Sequence, residues 1–218
     1  MAAFKDLCID AVDDERMSRF WAAALGLERE QHPGGTWSLA GPSPQHRLWV
    51  NRVPEPVTVK QRVHFDVHAA SVADIEALGA TRLPGDFPWT VMSDPEGGEL
   101  CVFVRAEVPD YRLYEIGVDA VDPARIATWW ATVLGAQMVS DERGLSYLES
   151  VPGAPFESID FAPVPEPKTV KNRVHWDVTG SVDHLLVAGA SLLRPTDDEF
   201  GWSVMADPEG NEFCVFAP

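Results

Sequence analysis

The chain repeats itself, and this constrains its architecture more than any other feature. The segment Val53-Pro-Glu-Pro-Val-Thr-Val-Lys-Gln-Arg-Val-His-Phe-Asp-Val67 returns 111 residues later as Val164 to Val178, differing only at Val57/Lys168, Gln61/Asn172 and Phe65/Trp176. A second stretch, Trp89 through Asp94-Pro-Glu-Gly97 to Phe103, returns 113 residues later as Trp202 through Asp207-Pro-Glu-Gly210 to Phe216. A third, Asp10-Ala-Val-Asp13 followed by Trp21 and Leu25-Gly26, returns after 109 residues as Asp119-Ala-Val-Asp122, Trp130 and Leu134-Gly135. Three matches in one order with drifting offsets mean a duplicated domain with small loop insertions. The boundary falls in Glu107-Val108-Pro109-Asp110, giving domains at 1–106 and 111–218.

Within a copy, the patterning alternates between strand and helix. Leu7 to Val12 reads as a strand. Asp13 or Asp14 is a helix cap, and Met17, Phe20, Trp21, Ala24 and Leu25 follow at helical spacing up to a Gly26 stop. Trp37 to Leu39, Arg47 to Asn51 and Arg62 to His68 read as strands, and Val72 to Leu78 as a short helix. Trp89 to Ser93 and Glu99 to Val104 form a hairpin around Asp94-Pro-Glu-Gly97, a turn with proline at its second position. The fold class is α+β: four strand–helix–strands units, paired so that each pair curls into a half-open barrel with its helices outside.

Strand alternation then sorts the chemistry. Val63, Phe65 and Val67 share a core face, which puts Arg62, His64, Asp66 and His68 on the other. The second copy sets Val174, Trp176 and Val178 against Arg173, His175 and Asp177. In the last strand Cys101 and Phe103, like Cys214 and Phe216, face away from the helix. In the first strand Cys8 and Asp10, like Gly117 and Asp119, face away from the core set. Each concave face therefore gathers an Asp, a His–Asp pair, a Cys and an Arg, bordered by Trp89 and Phe103 in one copy and by Trp202 and Phe216 in the other. Convergent polar groups among aromatic walls describe a small-molecule pocket.

The net charge of −17 and pI of about 4.6 oppose nucleic acid and anionic membranes, both of which select basic surfaces. No apolar run approaches the ~20 residues that span a bilayer. Met1-Ala-Ala-Phe-Lys-Asp6 lacks the pattern of an export signal. Cys8, Cys101 and Cys214 are few, odd in number and widely spaced, which points to a reducing cytoplasm.

With Asp10-Ala-Val-Asp13 leading to Phe20-Trp21 and Leu25-Gly26, then Val63-His64-Phe65-Asp66, then Asp94-Pro-Glu-Gly97, all present twice, the chain resembles the vicinal oxygen chelate superfamily. That group includes glyoxalase I, extradiol dioxygenases and bleomycin-resistance proteins, and within it the chain is similar to tandem glyoxalase-like domains. The resemblance covers nearly the whole chain. It implies metal ligands at the start of the first strand, at His64 and His175, and at a Glu after the Asp-Pro-x-Gly turn. The first position falls on Asp6 and Glu115; the last is Cys101 and Cys214 rather than Glu.

Several readings stay open at this point. His64 and His175 are either ligands or bases, or buried histidines held by the adjacent Asp. Cys101 and Cys214 are either ligands or small buried hydrophobes. Lys60 and Arg62, with Lys171 and Arg173, are either an anion site or solvated strand ends. The expectation is a binding protein for a small aromatic or anionic organic molecule. His64 and His175 are its candidate chemical groups, and Asp10, Arg62, Asp66, Trp89, Cys101, Phe103, Asp119, Arg173, Asp177, Trp202, Cys214 and Phe216 line its clefts. No residue is assigned as a metal ligand and no cofactor is assured. The alternative is a lyase, isomerase or dioxygenase using a divalent zinc, iron or nickel ion. In that case Asp6 or Asp10 would complete a site with Cys101, and Glu115 or Asp119 one with Cys214. Four units in one chain predict a monomer that forms both clefts unaided, with a homodimer as the other arrangement.

Overall fold

The structure, a computed structural model, describes residues 1–142 and 144–218. Its strands in chain order are β1 (Ala3–Ala11), β2 (Glu28–Gln31), β3 (Trp37–Ala40), β4 (Leu48–Arg52), β5 (Val63–Ala69), β6 (Thr81–Arg82), β7 (Thr90–Ser93), β8 (Glu99–Val104), β9 (Leu113–Ala120), β10 (Gln137–Ser140), β11 (Ser146–Glu149), β12 (Ser158–Pro163), β13 (Val174–Thr179), β14 (Ser191–Arg194), β15 (Trp202–Ala206) and β16 (Glu212–Phe216). The helices are α1 (Asp14–Leu25), α2 (Val72–Ala77), α3 (Pro123–Leu134) and α4 (Val182–Val187). They form four β-α-β-β-β modules, one starting at each of β1, β5, β9 and β13.

The helix boundaries follow from local chemistry. The Asp13 carboxylate accepts from the Arg16 N–H at 3.0 Å, and Asp122 does the same for Arg125 at 3.2 Å. Each thereby satisfies one of the first-turn donors that a helix leaves free. Both long helices stop at a left-handed glycine, Gly26 and Gly135, each at φ 71°. A side chain at Gly26 would also run into the Asp110 carbonyl, so glycine is needed there twice over.

The modules assemble into two eight-stranded sheets. Sheet A has the order β14-β15-β16-β13-β1-β4-β3-β2 and sheet B the order β10-β11-β12-β9-β5-β8-β7-β6. Paired modules were expected; their partnering crosses the repeat. Sheet A joins the first module to the fourth, and sheet B the second to the third. The seams are antiparallel pairs, β1 with β13 and β5 with β9, flanked by the parallel pairs β1–β4, β13–β16, β9–β12 and β5–β8.

Helices α1 and α3 hold the sheets together. Trp21 on α1, 1% exposed, meets Phe65 of β5 edge-on at 5.2 Å, although its own module lies in sheet A. Trp130 on α3, also 1% exposed, meets Trp176 at 4.7 Å and Phe213 at 5.0 Å in the opposite sheet. Each such aromatic pair contributes ~0.5–1.5 kcal/mol beyond area burial. The buried apolar residues of both sheets form one continuous cluster.

The Asp-Pro-Glu-Gly turns add a polar latch. The Glu96 carboxylate accepts from the Val12 and Asp13 N–H groups at 2.9 and 2.6 Å, and Glu209 accepts from Val121 and Asp122 at 2.9 and 2.8 Å. These residues do more than turn the chain: each ties one sheet to the start of a helix on the other. Among the described residues no helix is long and apolar enough to cross a membrane.

Because neither repeat completes a sheet alone, residues 1–106 expressed by themselves should form a dimer that pairs β1 of one copy with β5 of the other. Light scattering of that fragment checks this; a folded monomeric fragment would contradict the crossed partnering.

Candidate functional site

The crossed seams decide which side chains meet. In sheet B, His64 lies opposite Gly117 and Asp66 opposite Glu115, and Asp66 pairs with Cys101 on the parallel side. In sheet A, Cys8 lies opposite His175 and Asp6 opposite Asp177, and Asp177 pairs with Cys214. The first-strand acid of each repeat thus joins the His of the other. This corrects the sequence-based sets: Glu115, not Asp6, accompanies His64 and Cys101, while Asp6 and Cys8 accompany His175 and Cys214.

Ligand-type atoms of His64, Asp66 and Cys101 all lie within 4.8 Å of one another, as do those of Cys8, His175 and Asp177. His64 Nε2 is 3.2 Å from Asp66 Oδ1, and His175 Nε2 is 3.4 Å from Asp177 Oδ1. These are ion-pair distances without hydrogen-bond alignment, so both carboxylate oxygens remain without a hydrogen-bond donor, as does Nδ1 of each histidine. Burial opposes protonation of both imidazoles. It is outweighed at His64 by the Asp66 carboxylate, and at His175 by Cys8, Asp177 and Cys214, so both titrate well above the ordinary histidine range.

The two clusters differ in their remaining members. Sheet B adds three oxygen-bearing side chains. Ser158 Oγ lies 3.0 Å from Glu115 Oε2 and 2.6 Å from Asp160 Oδ1. Burial, then the neighbouring Asp160 and Asp66, push Glu115 up to about 9; burial likewise carries Asp160 to about 6. A Ser hydroxyl has one proton to give. Glu115 and Asp160 therefore compete for the single Ser158 hydroxyl proton. In sheet A the position of Gly117 is Cys8 and that of Asp160 is Trp49. Cys8 donates to Asp177 Oδ2 at 3.5 Å, and burial pushes its thiol up to about 12. Cys214 Sγ lies 3.5 Å from His175 Nε2, and the Trp49 indole donates to Asp6 at 3.2 Å.

The last strand of each cluster, β8 or β16, also carries one ring of a stacked aromatic pair. Trp89 stacks on Phe103 at 5.4 Å and on Phe87 at 5.3 Å, and Tyr114 closes on Phe103 at 5.0 Å. Trp202 stacks on Phe216 at 5.5 Å, with the Lys5 ammonium 4.0 Å from the Phe216 ring. Lys5 and Tyr114 occupy equivalent positions where the seam registers skip a residue. Bulges of this kind re-aim side chains beside sites.

Asp10, Arg62, Asp119 and Arg173 are not in the clusters. They lie at the seam ends, where Lys171 binds Asp10, Lys60 binds Asp119, and each arginine reaches a backbone carbonyl of the opposite repeat, Arg62 to Glu166 and Arg173 to Glu55. Conversely, Ser158 and Asp160 were missed. Their signal was the alternation Ser158-Ile-Asp160-Phe, a period-2 pattern that marks a strand with a polar face.

Two outcomes follow. Glu115 binds its proton more tightly folded than unfolded, so stability falls as pH rises from about 4.5 to about 9. In metal-free protein, Glu115→Gln should remove much of that fall, read as Tm against pH; an unchanged slope would show that Glu115 is not the protonated group. Separately, a Cβ at Gly117 would overlap the His64 ring. Gly117→Ala should displace His64 at a cost of ~1–3 kcal/mol, visible as a shifted imidazole resonance in NMR.

The family model for the glyoxalase-like domain matches residues 6–103 and 115–216. Glyoxalase I from Zea mays superposes with a TM-score of 0.71 at 14% identity, covering 99% of this chain and 92% of that one. The CppA protein of Streptococcus pneumoniae superposes with a TM-score of 0.53 at 13% identity, covering 100% of both chains. No curated protein sequence matches the chain. Two repeats, crossed modules and a His-centred cluster on each sheet accompany the vicinal oxygen chelate fold, and the chain belongs to the glyoxalase-like domain family.

Proposed function

We propose that the sheet B cleft binds a small organic molecule through a divalent cation held beside the Phe87–Trp89–Phe103–Tyr114 wall. The observation that carries this reading is the crowding of Asp66, Glu115 and Asp160 around His64, with Asp66 Oδ1 3.2 Å from His64 Nε2 yet receiving no aligned hydrogen bond. Several buried acids sharing one space repel each other, and a cation relieves that repulsion. His64, Asp66 and Cys101 are the residues that would hold it. An imidazole, a carboxylate and a thiolate suit zinc, iron or nickel better than magnesium. Such an ion supplies Lewis-acid polarisation of a ligand oxygen.

The chain's own residues supply the rest. Glu115, whose hold on a proton is strengthened by burial and by Asp160 and Asp66, sits within reach of Ser158, so it is the group able to give or take a proton at the cleft. The stacked aromatics offer a flat face to an aromatic or conjugated ligand. Arg105, 5.5 Å from the Phe103 ring and 5.4 Å from that of Tyr114, adds a positive charge at the rim that suits an anion. The lyase, isomerase and dioxygenase chemistries of glyoxalase-type proteins all fit this arrangement.

A second reading, binding of an aromatic compound with no metal, rests on the aromatic wall alone. Elemental analysis separates the two. Protein purified without chelator or affinity metal should retain zinc, iron or nickel, and His64→Ala should lose the part held in sheet B. Protein that arrives empty and takes up none of the three would sink the cation and leave the second reading. In that case Trp89→Ala should weaken an aromatic ligand by ~1 kcal/mol or more, measured by fluorescence titration.

A further inference from the structure

A large cavity lies at the ends of both seams, away from the two clusters. The linkers from β4 to β5, residues 53–62, and from β12 to β13, residues 164–173, run past each other between the sheets and enclose about 1250 Å³ with Asp10 and Asp119. These linkers carry the most closely repeated segment of the sequence, whereas the residues that make each sheet cluster distinct have diverged. The segments near-identical in both copies are those that build one shared, pseudo-symmetric space.

The charges in that space are unequally satisfied. Each lysine has a carboxylate: Lys60 has Asp119, Lys171 has Asp10, and Lys168 has Glu212 at 2.7 Å. The arginines are less well provided. A guanidinium carries five N–H donors. Arg62 places one on the Glu166 carbonyl. Arg173, 9% exposed, uses the Glu55 carbonyl and reaches Glu96 at 3.3 Å, while its Nε is buried with no partner. The side chains of Glu55 and Glu166, which also line the space, are exposed to solvent. The rest of the lining mixes Thr58, Gln61, Thr169 and Asn172 with apolar side chains, of which Val59 is 45% and Val170 42% exposed among Pro54, Pro56 and Pro167.

We infer that this inter-linker cavity is a second small-molecule site, for an organic anion with an apolar body. A carboxylate or sulfonate takes the free arginine donors, and the carbon skeleton lies on Val57, Val59 and Val170. The planar guanidinium suits such an anion bidentately, as an ammonium does not. The volume exceeds what small ligands commonly fill. Lying on the pseudo-twofold axis, the site occurs once per chain, whereas the sheet clefts occur twice.

The test uses the full chain and 8-anilinonaphthalene-1-sulfonate, an anion whose fluorescence rises in apolar surroundings. The Trp89→Ala/Trp202→Ala double variant, which removes the aromatic walls of the sheet clefts, should keep one saturable site per chain. In that background the site should weaken about tenfold when Arg62→Gln or Arg173→Gln is added. The neutral N-phenyl-1-naphthylamine should bind about tenfold more weakly than the sulfonate. Circular dichroism confirms folding. If an arginine variant fails to fold, Val59→Asp, at an exposed lining position, should weaken the sulfonate by a similar factor. In the tryptophan variant, two sites, no binding, equal binding of the neutral probe, or binding unchanged by Val59→Asp and the folded arginine variants would each overturn the inference.

Discussion

Everything else in the molecule depends on two antiparallel seams, β1 with β13 and β5 with β9. A module on its own leaves a strand edge unpaired, with a row of N–H and carbonyl groups that must find partners. The seam removes that edge. It also brings the first strand of one repeat against the histidine strand of the other, so that no polar cluster belongs to a single repeat. Helices α1 and α3 then place Trp21 and Trp130 against the sheet their own modules do not enter. The duplication is therefore written into one continuous core.

The two copies have stayed alike where they build shared structure and have separated where each cleft stands alone. Asp13 and Asp122, Glu96 and Glu209, Gly26 and Gly135, and Arg62 and Arg173 do matching work in both. At the clusters, Gly117 in sheet B is replaced by Cys8 in sheet A, Asp160 by Trp49 and Glu115 by Asp6. One cleft is accordingly rich in buried oxygen, and burial beside Asp160 and Asp66 raises the proton affinity of its Glu115. The other is rich in sulfur, with its acid at Asp6 capped by the Trp49 indole and by Lys5 at 2.6 Å. The same backbone thus offers two different donor chemistries.

Much of this was legible in the sequence. The repeat gave the modules, the Asp and Gly signals bounded α1 and α3, and strand alternation put His64, Asp66 and Cys101 on one face. What alternation cannot state is which strand lies next door. Strand parity is local, and the choice of Glu115 rather than Asp6 beside His64 is a pairing between residues distant in sequence. The same limit misplaced Arg62 and Arg173. They share parity with His64 and His175 but stand just before the first residues of β5 and β13, where the chain is still leaving the linker. Lys5 and Tyr114 were hidden because a bulge breaks parity where it occurs. Ser158 and Asp160 were readable by period, but their short strand lacks a capping or turn signal as strong as those of its neighbours.

The linker contacts explain why the clusters are reproducible at all. A slip of one residue along a seam would turn every side chain to the opposite face. The Asp119 N–H bonds the Arg62 carbonyl at 2.7 Å, and the Asp10 N–H bonds that of Arg173 at 2.7 Å. Those bonds close the seams at the very residues whose side chains pair with Lys60 and Lys171 across the repeats. Counting inward from them, His64 must meet Gly117 and Asp66 must meet Glu115; likewise His175 meets Cys8 and Asp177 meets Asp6. The charged motif that looked like part of the cleft instead sets the register that creates the cleft. It does so in both copies with the same residues, and of the residues it aligns the His and Asp are kept while their partners across the seam, Gly117 and Glu115 against Cys8 and Asp6, differ.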